Sequence, residues 1–339
     1  MRGGLPRKKT PVWKQVKLVK PGNIGAAGEV TGNAVFVIGS FVVVCLDLET
    51  GFELWRRPIS DVPDHSIFCQ RLWLFGTEVI SLEAEGTTEI RNHGITATAS
   101  RPLQIGTDIV VGHTRTGQIV AIDCETGTHR VAALGPKEYA MWFFLYRNST
   151  LYAFCRDKIV RHYSWPGGAL KDEWHLEVAD PKRGGICSAT WADDGDMLIF
   201  HNHNNSVVRL DPATREWRWE RVVRAVLGET GARLVAREKR IAVAGQYLLT
   251  MLNADTGGIL WEFDFYEYYQ RTANNTSHPV FAGDYIYCTP GNHVVALEVA
   301  TGKLAWESQK VTGDIMRQPI ITEDRIIVVT LAGNVYCFQ

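Results

Sequence analysis

One phrase of about ten residues recurs along the chain. LDLETGFELW at 46–55 returns as IDCETGTHRV at 122–131, LDPATREWRW at 210–219, LNADTGGILW at 252–261 and LEVATGKLAW at 297–306. Self-similarity at a period of about 20–50 residues is typical of solenoids and propellers. The repeat therefore constrains the fold more than any isolated motif in the sequence.

The copy at 277–307 indicates what one repeat builds. Four short β-prone segments, at 278–281, 285–288, 293–297 and 304–306, are separated by turns rich in Gly, Pro and Asn. Such segments read as strands, and the intervening residues as tight turns. Four antiparallel strands joined in this way form one blade of a β-propeller.

The repeated residue types have structural explanations. An Asp begins the turn between the third and fourth strands, where its carboxylate can accept backbone N–H groups, and the Thr hydroxyl can join it. The Gly that follows tolerates a positive φ, and the Trp offers a flat surface for packing between blades. These residues are Asp47, Asp123 and Asp211; Thr50, Thr126, Thr214, Thr256 and Thr301; Gly51, Gly127, Gly257 and Gly302; Trp55, Trp219, Trp261 and Trp306.

The spacing of the copies counts the blades. Positions equivalent to the repeat Trp fall every 36 to 45 residues, at Trp13, Trp55, Arg91, Val131, Trp174, Trp219, Trp261 and Trp306. The last copy, 319–339, supplies three strands and stops, whereas the segment 11–19 resembles a fourth strand with nothing before it. Pairing these ends would complete a blade and remove an exposed edge.

The sequence therefore predicts an all-β, eight-bladed β-propeller of four-stranded antiparallel blades. Strand 11–19 joins the C-terminal blade, residues 11–339 form a single domain, and 1–10 form a flexible basic tail. Seven blades are the alternative, if the divergent copy at 64–91 forms no blade of its own.

Composition narrows the partners and the compartment. The net charge of -1 gives no global attraction to nucleic acid, and no apolar run reaches the ~18 residues of a membrane span. The basic start lacks an apolar segment typical of a leader. Four of the seven Cys, at 45, 155, 288 and 337, fall in strand-like runs. We expect reduced cysteines and a cytoplasmic protein, or a periplasmic one if a leader has been removed.

The phrases LDLETGFELW, LNADTGGILW and LEVATGKLAW resemble the repeat of the PQQ-repeat β-propeller family, Ala-x-Asp-x-x-Thr-Gly-x-x-x-Trp. That family includes quinoprotein alcohol and glucose dehydrogenases, a periplasmic lipoprotein of the outer-membrane β-barrel assembly machine, and binding propellers. The resemblance implies, for the enzymes, an Asp base with Glu and Asn ligands to calcium and, in many of them, a pair of adjacent cysteines that stack on the quinone. This chain has no Cys-Cys pair, and those ligand positions cannot be matched in it.

Candidate functional residues lie between the copies. The connection at 263–271 is rich in Tyr and Arg, which dominate protein-binding hot spots, and its candidates are Tyr266, Glu267, Tyr268, Tyr269 and Arg271. The connection at 137–142 is similar and offers Tyr139 and Trp142. We expect such connections on one face of the propeller, where they bind a partner protein. The alternative is that these aromatic rings fill gaps between blades.

His201 and His203 have a spacing that zinc sites use. They fall in a predicted surface loop with no third ligand nearby, so we expect no metal and assign both to the partner-binding face. The sequence has no Gly-x-Ser-x-Gly, Walker A or dinucleotide fingerprint. It therefore predicts a non-catalytic, cofactor-free protein-interaction module, of an immunity, inhibitor or assembly-scaffold type. A quinone- or small-ligand-binding propeller is the alternative.

Overall fold

In a computed structural model of the chain, the described residues form thirty-three strands and one short helix. The strands form eight sheets. Seven contain the four successive strands of one repeat, and one of these seven gains the first strand of the chain as a fifth; the last contains three strands of the final repeat and one N-terminal strand. The chain is an eight-bladed β-propeller, as predicted, and the divergent copy at 64–91 forms a blade of its own. The structure describes residues 8–19, 27–39, 41–59, 64–76, 78–83, 91–94, 102–113, 116–135, 141–155, 159–176, 186–201, 205–224, 233–245, 247–269, 278–315 and 317–339.

The chain divides into two compact units of four blades. The blades of the first unit have the following strands. Blade 1 has β3 (Ala27–Thr31), β4 (Ala34–Ile38), β5 (Val42–Asp47) and β6 (Glu53–Pro58); blade 2 has β7 (Asp64–Phe68), β8 (Arg71–Phe75), β9 (Ile80–Glu83) and β10 (Arg91–Asn92); blade 3 has β11 (Leu103–Ile105), β12 (Asp108–His113), β13 (Gln118–Asp123) and β14 (His129–Leu134); blade 4 has β15 (Met141–Arg147), β16 (Thr150–Cys155), β17 (Ile159–Ser164) and β18 (Leu170–His175).

The second unit holds the remaining blades and the N-terminal strands β1 (Lys8–Lys9) and β2 (Trp13–Gln15). Blade 5 has β19 (Ile186–Trp191), β20 (Met197–His201), β21 (Ser206–Leu210) and β22 (Trp217–Val222); blade 6 has β23 (Arg233–Arg237), β24 (Arg240–Ala244), β25 (Leu248–Asn253) and β26 (Ile259–Asp264), followed by helix α1 (Phe265–Tyr269); blade 7 has β27 (Val280–Ala282), β28 (Tyr285–Cys288), β29 (Val295–Glu298) and β30 (Leu304–Ser308); blade 8 has β31 (Ile320–Ile321), β32 (Ile326–Val329) and β33 (Val335–Phe338).

The N-terminal segment completes blade 8, which confirms the predicted pairing of the two ends. Strand β2 lies antiparallel to β33, with Trp13 opposite Cys337. The preceding strand β1 was not predicted and runs parallel to β30 on the edge of blade 7. Lys9 donates to the carbonyl of Gln339 at 2.7 Å. The flexible tail predicted at 1–10 lies outside the described residues over 1–7.

The turn of the repeat is capped by its first side chain, as predicted. Asp47 Oδ1 accepts the backbone N–H of Thr50 at 2.8 Å and its hydroxyl at 2.7 Å. Asp123 accepts the same two groups of Thr126, and in blade 6 the neutral amide oxygen of Asn253 does so. These hydrogen bonds hold the pKa of the Asp carboxyls below the usual range, through Thr50 for Asp47 and Thr126 for Asp123.

We predict that replacing Asp47, Asp123 and Asp211 by Asn makes stability less sensitive to acid. All three carboxyls have a lowered pKa in the folded chain, so their contribution is present above the unfolded pKa and is lost as pH falls through the folded pKa. Asn keeps the acceptor, as Asn253 does, but does not titrate in this range. Denaturant unfolding between pH 7 and pH 3 measures the effect. An equal loss of stability in both proteins would contradict it.

The repeat Trp packs against the turn of the next blade. Trp219 of blade 5 donates its indole N–H to the carbonyl of Ala254 at 3.0 Å, and Trp261 of blade 6 donates to Val299 at 2.9 Å. Each indole lies directly against the Gly of that turn. A Cβ atom added to Gly257 would lie 2.7 Å from the ring of Trp219, and one added to Gly302 would lie 2.6 Å from that of Trp261. We call this contact between the fourth strand of one blade and the turn of the next a seam.

Two of the predicted Trp equivalents are replaced in the structure. At the seam between blades 3 and 4, Val131 is half exposed, and the guanidinium of Arg130 instead lies 5.5 Å from the ring centre of Trp165. Trp174 pairs with Val160 and donates to His162 of its own blade. The prediction that Val131 and Trp174 are the equivalents of the repeat Trp is therefore wrong. Spacing misplaced both because the turns and bulges of these two copies differ from those of the regular copies.

Blade 2 has the weakest copy of the repeat. Arg91 lies opposite Ser81, where blade 1 has Trp55 opposite Cys45, so its predicted place in the register is confirmed. The ring at the seam, however, belongs to His93, whose Nδ1 lies 3.2 Å from the carbonyl oxygen of Gly127. A Cβ on Gly127 would lie 2.5 Å from that ring.

We predict that Trp219→Ala lowers the free energy of unfolding by about 3 kcal/mol, the low end for losing a large buried ring, because Trp219 is only partly buried. Trp217 lies on the same strand with 41% of its surface exposed. Trp217→Ala is the control and should change stability by less than about 0.5 kcal/mol. Equal losses in the two variants, measured by denaturant unfolding, would show that the seam contact has no special weight.

The cysteines whose side chains are described divide into two groups. Cys45, Cys155, Cys288 and Cys337 are buried thiols. Burial, with Asp47 nearby, raises the pKa of Cys45 to about 12, so it is an unreactive thiol. Cys69 and Cys124 form a disulfide, and the expectation of reduced cysteines is wrong for this pair.

Candidate functional site

The Tyr-rich connection after blade 6 begins as helix α1, which the sequence did not predict. Asp264 caps it, because its Oδ1 accepts the backbone N–H of Glu267 at 2.9 Å. Phe265 is fully buried and anchors the helix, and its N–H donates to the carbonyl of Tyr247 at 2.8 Å. The helix is therefore fixed to blade 6 at its first residue.

The residues after Phe265 form a surface that we call the α1 aromatic surface: Tyr266, Glu267, Tyr268 and Tyr269. Tyr266 is 53% exposed and Tyr268 40% exposed. Tyr266 meets the ring of Tyr247 edge to face, and Tyr268 meets Tyr269 in the same manner. Four of the predicted site residues are thus brought together, with two large aromatic rings open to solvent.

A buried carboxylate supports this surface from below. Glu307 of strand β30 is 2% exposed and accepts the hydroxyls of Tyr269 at 3.0 Å and Tyr268 at 3.3 Å. His293 places its Nδ1 3.0 Å from Glu307 and stacks on the ring of Tyr269 with centroids 4.7 Å apart. These contacts, together with Phe265, fix the positions of Tyr268 and Tyr269 through blade 7.

The same network acts on the acidity of a surface phenol. Burial raises the pKa of Tyr268, and the charge of Glu307 and its hydrogen bond raise it further. The Tyr268 hydroxyl therefore stays protonated across the physiological pH range and donates a hydrogen bond to Glu307.

We predict that Glu307→Gln lowers the pKa of Tyr268, because it removes the negative charge that opposes phenolate formation. Ultraviolet absorbance of phenolate, measured as a difference from Tyr268→Phe on each background, follows that one group. Glu262→Gln is the matched control: Glu262 has the equivalent place in blade 6 but accepts the hydroxyl of Thr250. An unchanged Tyr268 titration in Glu307→Gln would contradict the arrangement.

The supporting carboxylate was missed in the sequence, although a signal for it exists. Trp-Glu recurs at 219–220, 261–262 and 306–307, directly at the end of three repeat copies. Their registers are equivalent, with Glu220 opposite Val208, Glu262 opposite Thr250 and Glu307 opposite Val295. Because side chains alternate along a strand, the Glu lies on the face opposite to the Trp.

His201 has a different place from the one predicted. It ends strand β20 and is buried, whereas the sequence indicated an exposed loop. Its Nε2 lies 2.6 Å from Ser206 Oγ, which also donates to Glu220 at 2.6 Å. Ser206 and His201 are buried, whereas the side chain of Glu220 is 34% exposed, so the two buried groups connect to a carboxylate at the surface of blade 5.

The other predicted site residues are not placed by the structure. Tyr139, His203 and Arg271 lie outside the described residues, and so does the side chain of Trp142, whose backbone belongs to β15. Over the described ranges, no three His, Cys, Asp or Glu side chains are grouped as a metal site would require. No helix in this part of the chain has the length and apolar character needed to cross a membrane.

The blades and their repeated turns define the class: a PQQ-repeat β-propeller. A family profile described as "Outer membrane protein assembly factor BamB" matches residues 6–251 and 246–339. The chain belongs to this family.

Individual relatives are distant. The outer membrane protein assembly factor BamB of Nitrosomonas eutropha is 23% identical over 220 residues, or 61% of this chain. The match spans 50% of that relative, so the chain corresponds to about half its length. The structure of BamB from Moraxella catarrhalis superposes with a TM-score of 0.70 at 14% identity, covering 98% of this chain and 99% of that one.

The fold is also shared with an enzyme. A quinohemoprotein alcohol dehydrogenase from Pseudomonas putida superposes with a TM-score of 0.69 at 12% identity, covering 97% of this chain and 76% of the enzyme. At such identities the likeness shows the fold alone, since one fold serves many functions.

Proposed function

We propose that this propeller is a non-catalytic protein-interaction module whose α1 aromatic surface binds a partner protein. The observation that carries the proposal is that exposed Tyr268 is held by a hydrogen bond to buried Glu307, beside a second exposed ring, Tyr266, which meets Tyr247. Exposed rings held in one geometry are the kind of side chain that provides binding energy at protein interfaces.

The fixed geometry favours binding over simple packing. Tyr has few rotatable bonds, so it loses little conformational entropy when a partner covers it. The hydrogen bond from Tyr268 to Glu307 removes part of that cost before binding. If the rings only filled a gap between blades, Tyr266 would be covered, whereas it is more than half exposed.

The family supports an assembly scaffold over an immunity or inhibitor protein. The description of the family profile is that of an outer membrane protein assembly factor. We propose a similar task here: holding a protein partner while another component acts on it. We expect no role in binding nucleic acid, in line with the net charge of -1.

The polar groups that could do chemistry support a non-enzymatic function. Ser206 and His201 are buried, and the Ser206 hydroxyl donates its hydrogen bond to Glu220, so this serine is not directed toward a substrate. The quinone-binding alternative has the fold likeness to the dehydrogenase as its support. Saturable binding of the quinone with calcium, followed by alcohol or sugar oxidation, would establish that alternative.

We also propose that the protein works outside the cytoplasm. A disulfide between Cys69 and Cys124 persists in oxidising compartments such as the bacterial periplasm and is rare in the cytosol. The cytoplasmic location expected from the cysteine spacing has no support in the structure or in the family. Fractionation of the native cell, with the periplasmic contents released separately, tests this location.

The binding site is tested with Tyr266→Ala combined with Tyr268→Ala. The purified, folded double variant should lose the main partner captured by the unchanged protein, with affinity reduced at least about 30-fold, equivalent to about 2 kcal/mol. Tyr285→Ala is the control: Tyr285 is 39% exposed on β28, away from α1, and its loss should leave capture unchanged.

Capture is followed by titration calorimetry or interferometry with the identified partner. Full binding by the double variant, or an equal loss in Tyr285→Ala, would place the interaction elsewhere on the protein. Glu307→Gln gives an intermediate test, because it keeps both exposed rings but weakens the support of Tyr268. We expect it to reduce affinity less than the double variant does.

A further inference from the structure

The seam between blades 2 and 3 lacks the contact that holds regular seams. Strand β10 is described over Arg91–Asn92, and Arg91, not Trp, lies at the register position of the repeat Trp. His93 covers Gly127 in place of an indole and also stacks on Trp73, with centroids 4.7 Å apart. The smaller imidazole covers less of the turn than Trp219 or Trp261 does at its seam, so the blade 2–3 seam needs another connection.

The disulfide is attached where the indole binds in other blades. Cys124 directly follows the capping Asp123 in the turn, as Ala254 follows Asn253 and Val299 follows Glu298. The carbonyls of Ala254 and Val299 accept the indole N–H of the preceding blade. Cys124 therefore lies at the seam position of blade 3.

The other half of the disulfide comes from the preceding blade. Cys69 and Gln70 form the tight turn between β7 and β8 of blade 2, with φ values of 47° and 60°. The Cα atoms of Cys69 and Cys124 are 6.0 Å apart, within the usual range for a disulfide. Both cysteines also pack in one apolar cluster with Phe68, Phe75 and Val79 of blade 2 and Ile122 of blade 3.

We propose that the Cys69–Cys124 disulfide is a redox-sensitive clamp that takes the place of the missing Trp at the blade 2–3 seam. A dithiol reductant breaks the S–S bond: two electrons and two protons convert it to two thiols, and the reductant becomes a cyclic disulfide. The propeller remains folded elsewhere, and this seam opens first.

Access to the bond is consistent with this assignment. Cys124 is fully buried, but Cys69 lies at the turn and is partly exposed. The side-chain amide of Gln104 from blade 3 reaches Cys69 Sγ at 3.9 Å. The other described cysteines, Cys45, Cys155, Cys288 and Cys337, are already thiols, so among the described cysteines a reductant has the Cys69–Cys124 bond to act on.

The test is hydrogen exchange of the full chain with and without a dithiol reductant. Reduction should speed exchange about tenfold or more in segments 67–72 and 122–128, and lower the melting temperature by several degrees. The blade 5–6 seam, around Trp219 and Gly257, should keep its protection. Uniform acceleration over all blades, or no change at 67–72 and 122–128, would overturn the proposal.

Two variants separate the clamp from general effects of the reductant. Cys69→Ser with Cys124→Ala should show the fast exchange without reductant and no further response to it; a continued response would place the redox effect at another cysteine. Trp219→Ala should lose protection at the blade 5–6 seam, independently of reductant. If the cysteine variant does not fold, the oxidised and reduced forms of the unchanged chain decide the question alone.

Discussion

The structure depends on the seam, where the fourth strand of one blade meets the turn of the next. A single four-stranded sheet cannot bury both of its faces, so each blade is stable only against its neighbours. At the regular seams an indole lies flat on Gly257 or Gly302 and donates to a carbonyl of the same turn. The Gly satisfies two requirements at once: a positive φ of 66° or 69°, and the absence of a Cβ beneath the ring. Substitution there would disturb both the turn and the seam.

The seams also show how far one contact can vary while the architecture persists. His93 on Gly127 and Arg130 on Trp165 replace the indole with an imidazole and with a cation facing a ring. Each replacement still places a flat group from one blade against the turn of the next. The period of the repeat survives because backbone register, set by the capped turn, is under stronger constraint than the identity of the packed side chain. The sequence thus allowed the blades to be counted even where Trp was lost.

Sequence reasoning succeeded where contacts are local or periodic. The turn caps join residues three apart, and the pairing of the N-terminal strand with the last strand followed from counting strands. It failed where partners are distant and unpatterned. Cys69 and Cys124 are 55 residues apart in adjacent blades, and neither residue has a repeat position that marks it as paired. Likewise, Glu307 is separated from Tyr268 by 39 positions, so the Tyr-rich connection was found but its support was not.

The repeat and the proposed binding surface meet on one strand. In β30, Trp306 packs against an apolar cluster that includes residues of blade 8. Glu307 lies on the opposite face of the strand and accepts hydrogen bonds from Tyr268 and Tyr269. The alternation of side chains along a strand makes this division of roles possible within two consecutive residues. The connection after blade 6 is therefore positioned by the fourth strand of blade 7, the strand that also bears the packing Trp. Changing the aromatic residues of this connection while keeping its blades therefore requires that the new side chains still donate to Glu307, because an unpaired buried carboxylate is costly.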